Sequence, residues 1–113
     1  MKEPKRRQAE ANARVAAALE ARTRQAEAEI RAAAALLRGH RAAAAARALD
    51  VKQLEAKIAD LETRQKAGLN VSAELVTARL DLLKARGELL TAVTDWHAAE
   101  VKLRQAMGLL VRE

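Results

Sequence analysis

The chain has 113 residues, room for one small domain or a piece of a larger protein. Alanine supplies 29 of them, leucine 16 and arginine 14, while Phe, Tyr and Cys are absent; this argues against a sizeable globular core and excludes disulfides and thiol chemistry. Net charge is +6, but acids alternate with arginines along the whole length, as in Arg22–Gln25–Glu29, which is the pattern of solvated helix faces and not of a nucleic-acid-binding block.

The amino terminus, Met-Lys-Glu-Pro-Lys-Arg-Arg, has the basic start of an export signal. It lacks the roughly 7–15-residue apolar stretch that must follow, because Glu10, Arg14, Glu20, Arg22 and Arg24 interrupt every window. No run approaches the roughly 18–20 apolar residues of a membrane span. The expectation is a chain with neither signal peptide nor span. Pro4 suits the first turn of a helix, and residues 5–66 read as one long helix. Gly39-His40 marks a possible kink.

Residues 67–72, Ala-Gly-Leu-Asn-Val-Ser, carry stop and start signals together. Gly68 suits the left-handed position after a helix end. Ser72 reads as an N-cap, Glu74 complements the dipole of the next helix, and Val71 with Val76 reads as a hydrophobic staple. The second helix spans 73–110. Leu75, Leu82, Leu89, Trp96, Leu103 and Leu110 recur every seven residues, with Ala78, Ala85, Ala92, Ala99 and Ala106 three places after the first five. This is a heptad seam with a large residue at a and alanine at d, which lets a partner helix approach closely. Val76, Leu83 and Leu90 form a second stripe beside it.

The first helix answers with Ile30, Leu37, Ala44, Val51 and Ile58, and with Leu54 and Leu61 at the companion position. A fold-back at Gly68 sets Ile58 against Leu82, Val51 against Leu89, and Ala44 against Trp96, large opposite small. The fold class is therefore all-α, one long antiparallel helical hairpin of coiled-coil type covering residues 1–113, with no strand. The same register leaves residues 5–28 with nothing to lie against. That overhang is roughly 35 Å long, so the hairpin is expected to self-associate.

The run Gly68-Leu-Asn-Val-Ser-Ala-Glu-Leu-Val-Thr-Ala78, then Leu82, Ala85, Leu89, Ala92, Trp96, Ala99, Leu103 and Ala106-Met-Gly108, resembles TolC-type outer-membrane efflux proteins. The likeness runs without a gap from the glycine at the tip of that family's periplasmic hairpin to its closing glycine. It implies trimers whose hairpins build a periplasmic α-barrel, continued by a β-barrel in the outer membrane. It also implies that Gly68, Leu69, Asn70, Val71 and Ser72 form a tip that docks a periplasmic adaptor or inner-membrane pump. Asn70 stands where the family often has arginine and Thr77 where it has a second acid, while Glu74 keeps the first acidic position. The sequence has no β-barrel strands, no first repeat and no export signal, so the resemblance is to one hairpin of such a channel.

Enzymatic chemistry and cofactors are not expected: His40 and His97 are the only histidines, and no phosphate loop is present. His97 and Glu100 lie at i, i+3, with His40 a third candidate near Glu100, but a partly exposed histidine beside an acid accounts for them without a metal. The other reading of the whole chain is a free-standing coiled-coil scaffold or adaptor-like hairpin with no transport role.

Overall fold

In the computed structural model the described residues are 3–111, with side chains from 4 to 108. They form two helices, α1 (Glu3–Lys66) and α2 (Ser72–Val111), and no strand. The folded-back pair measures 102 × 16 × 14 Å. The long axis is close to the length of α1 alone, about 96 Å at 1.5 Å per residue. Alanine, leucine, arginine, lysine and glutamate carry α1 without interruption, and Pro4 sits in its first turn, where a missing N–H costs nothing. The helix also runs unbroken through Gly39-His40. A lone glycine costs about 1 kcal/mol in a helix, and the alanine-rich segments on both sides carry it.

The reversal is a Schellman turn. Gly68 adopts φ +92°, its N–H donates to the Gln65 carbonyl at 3.0 Å, and the Leu69 N–H reaches back to the Arg64 carbonyl at 3.1 Å. The Val71 carbonyl then accepts from the Leu75 N–H at 2.9 Å, which begins α2. Val71, not Ser72, thus holds the capping position, and Ser72 is the first helical residue. The Ser72 hydroxyl is instead met by the Gln65 amide at 3.4 Å, tying the two helix ends together. The expected staple is not made: Val71 is buried, whereas Val76 points outward and is more than half exposed. Because the turn closes one residue earlier than Ser72-capping requires, Val71 swings inward.

The core lies along one seam. Val51, Ile58 and Leu61 of α1 pack with Val71, Leu75, Ala78, Leu82 and Ala85, with Leu54 and Leu89 at its edge. Ala78 is the most enclosed residue, 1% exposed, and Leu61 and Leu75 follow at 3%. Farther from the turn the buried positions are alanines only, Ala44 on α1 and Ala92 and Ala99 on α2. Ile30 and Leu37 are half-buried. Ile58 with Leu82 and Val51 with Leu89 therefore share one core, Ala44 and Trp96 are not part of it, and the side chain of Leu110 lies outside the described residues. Three ion pairs flank the seam: Arg47–Glu88 at 3.2 Å, Arg79–Glu62 at 3.6 Å and Arg86–Glu55 at 3.9 Å. Each is about half exposed and contributes at most about 1 kcal/mol, so they fix register more than they stabilise.

Residues 4–25 are exposed throughout. Their larger apolar side chains, Val15 and Leu19, are both more than half exposed. The overhang expected from the register is present as a straight continuation of α1.

Candidate functional site

Two features of the surface can meet a partner, the tip and the outer face of α2. At the tip, Gly68, Leu69, Asn70 and Ser72 are exposed, and Val71 is buried at 9%. The turn hydrogen bonds close this loop. Leu69 occupies the position that in a Schellman turn commonly packs back on the helix, yet here it is 57% exposed. The residue level with it is Arg64, paired with Asp60 at 3.1 Å, and offers no apolar surface. The tip thus presents one leucine and one asparagine, with Arg64 and Lys66 behind them in the last turn of α1. Such a leucine is suited to insert into an apolar groove.

Burial along the seam positions of α2 is uneven. Leu75, Ala78, Leu82, Ala85, Ala92 and Ala99 are buried, and Leu89, Trp96, Leu103 and Ala106 are half-buried. The burial fades toward the carboxyl end, where α1 offers only alanine, Leu37 and Ile30. Trp96 does not lie wholly in the seam: its indole stacks nearly parallel to the His97 ring, centroids 5.8 Å apart and 10° between planes. Ala44 at the matching level is buried, and Ala42, Ala43, Ala45 and Ala46 stay exposed.

The second stripe is wholly exposed. Val76, Leu83 and Leu90 are joined on that face by Leu80 and Val101, each half or more exposed. The stripe expected from Val76, Leu83 and Leu90 is therefore wider than those three residues. Leu80 and Val101 escaped a search confined to one heptad position; the i, i+4 step from Val76 would have found Leu80, and three turns on from Leu90 would have found Val101.

His97 Nδ1 lies 3.7 Å from a Glu100 carboxylate oxygen. His40 does not join them. It lines a shallow groove on the opposite flank with Asp95 and Ala92, where Ala43 and Gly87 leave space between the helices. Equal height along the seam was compatible with Glu100, but the two residues sit on different sides of it. Among the described residues no group of three or more His, Cys, Asp or Glu side chains is placed to hold a metal, and none of the buried residues is polar or charged. No described helix is long and apolar enough to cross a membrane. No protein-family model, curated protein or solved structure matches the chain.

Proposed function

We propose that this chain is a wall element of an efflux conduit of the TolC type, a helical hairpin that packs beside other helices and offers its tip to a partner. The residue resemblance from Gly68 to Gly108 supports this reading. The observation that carries it is the split at the tip, with Val71 anchored in the core while Leu69 and Asn70 are exposed on a hydrogen-bonded turn. The exposed stripe from Val76 to Val101 adds a face against which a neighbouring hairpin can pack. In this reading the hairpin works in the periplasm, beneath an outer-membrane channel. Its partners are further copies, three by resemblance, together with a periplasmic adaptor and an inner-membrane pump. The chemistry is association, with no cofactor.

The test is a photo-crosslinkable residue at position 70, presented to a periplasmic adaptor protein. A crosslink at 70, lost when Leu69→Asp is added without a change in melting, is the expected result. Adaptor binding unaffected by Leu69→Asp would reduce residues 68–72 to a turn. Val71 is not a suitable probe, because an aspartate there strikes the core.

A second reading, a free-standing coiled-coil scaffold or adaptor-like hairpin, draws on the exposed arm 4–25, which a pairing partner would cover. Drug or metal resistance that does not change when the gene is deleted favours this reading over the conduit.

A further inference from the structure

The outer face of α2 carries a second heptad seam. Val76, Leu83, Leu90 and His97 hold one position of it, and Leu80, Gly87, Thr94 and Val101 the other. Every residue of this stripe is exposed. At 100° per residue the stripe lies about 150° around α2 from the seam that faces α1, so both can be filled at once. Gly87 stands at its centre, where a Cβ would meet nothing within the hairpin. The hairpin itself therefore gives no reason for a glycine inside this helix.

A second copy, reversed, fits the stripe. With a two-fold axis level with the Glu88–Leu89 peptide, Gly87 comes opposite Leu90, Thr94 opposite Leu83, and Val76 opposite Val101. Large side chains thus meet small ones at the centre. Leu80 comes opposite the His97 ring, which Trp96 backs. One flank of the stripe carries Arg79, Arg86, Val93 and Glu100, and the other Thr77, Lys84, Thr91 and Ala98. Reversal about this axis sets each flank beside its own copy. Arg79 then meets Glu100, Arg86 meets Val93 and Lys84 meets Thr91, and no charge meets its own sign. Arg79 already lies 3.6 Å from Glu62 of α1 on that same flank, so Glu62, Arg79 and Glu100 of the second copy make a ladder across three helices. Other registers fail. One heptad toward the turn sets Arg86 and Lys84 against themselves, and one heptad away sets Arg104 on Leu80. A parallel pair stacks Gly87 on Gly87 and brings Arg79 to Lys84.

We propose that the outer face of α2, residues 76–101, is a homodimerisation surface that takes the same face of a second copy in antiparallel orientation. By that symmetry every contact is made twice. The overlap is about 38 Å long, and the two tips point in opposite directions roughly 60 Å apart. The flanking cations also suit an anionic lipid surface, but a flat lipid surface has no use for a seven-residue repeat. The inference does not rest on the conduit reading. It concerns the free chain in solution and leaves Leu69 uncovered, so tip docking can fail while α2 pairs, and the reverse.

The experiment is sedimentation equilibrium of the whole chain and its variants, with circular dichroism at matched concentration to show that the helices persist. The wild type should be dimeric at micromolar concentration, and L90D, at an exposed position, should be monomeric. R79E and E100R should each weaken dimerisation about threefold or more, since the pair is made twice, and R79E/E100R should recover most of it. Melting of R79E below the dimerisation range measures separately what the lost Glu62 pair costs the hairpin. In this cysteine-free chain, L83C and T94C mixed and oxidised should give the heterodimer, with little homodimer from either. A monomeric wild type, a dimer that survives L90D, a double variant no tighter than the singles, or homodisulfides as abundant as the heterodisulfide would each overturn the proposal. So would a chain that stays monomeric and instead binds anionic phospholipid vesicles through the stripe.

Discussion

At Gly68 and at Gly39 a Cβ would meet no atom within 4 Å, so space does not decide what a substitution does. Backbone conformation does. Gly68 sits at φ +92°, where an L side chain strains the chain by about 1 kcal/mol or more. Gly39 lies inside α1, where alanine is better than glycine by about 0.5–1 kcal/mol. Gly68→Ala should therefore lower the midpoint of urea unfolding, and Gly39→Ala should raise it, both followed by circular dichroism. Two shifts of the same sign would refute the turn conformation or the continuity of α1. Burial makes an equally sharp contrast between leucines. Leu75, 3% exposed, should cost about 2–4 kcal/mol as alanine, within the range for buried leucines. In the monomer Leu83, 64% exposed, should cost less than about 0.5 kcal/mol, the usual span for surface changes.

Between the helices, alanine sets the spacing. Ala78 and Ala85 are buried against Ile58, Leu61 and Val51, and nothing there can make room for three more carbons. Ala85→Leu or Ala78→Leu should overpack the seam, at about 1–3 kcal/mol each, whereas Ala45→Leu on the exposed side of α1 should be neutral. Thermal melts of the three variants decide it, and equal melting would mean that the seam lies elsewhere. The seam was legible because a two-helix pair has only one way to bury a heptad, and both helices spell the same one. The turn was legible in its glycine and less so in its cap. A sequence signal cannot distinguish Ser72 closing the helix from Val71 closing it, and one residue turns Val71 from a staple into a core anchor. Trp96 shows the other limit. Its spacing assigns it to the seam, but a broad ring beside alanines can lean on His97 at little cost, and spacing carries no information about that choice. The flank on which His40 sits was hidden for a similar reason, since heptad arithmetic gives height before side. At the tip, the sequence grouped five residues, and only burial separates the inward Val71 from the outward Leu69.

Over the whole molecule, stability is graded along the rod. Large side chains are fully buried only near the turn, the fully buried positions beyond it are alanines with Leu37 and Trp96 half-buried beside them, and residues 4–25 are exposed. Local opening should follow the same order, because the free energy of opening tracks the apolar contacts that each segment makes. Amide hydrogen exchange at a concentration where the chain is monomeric should show the slowest amides around Val51–Leu61 and Leu75–Ala85. Protection should fall through Ala44 and Ala92 and approach that of an isolated helix before Ala26. Most helical stability in proteins comes from tertiary packing, which the exposed arm lacks, so its protection should be small at low concentration and should rise only where association covers it. The seam near the turn, already covered, should change little. Uniform protection from residue 4 to residue 66 in a monomer would show that α1 is held by something other than the seam.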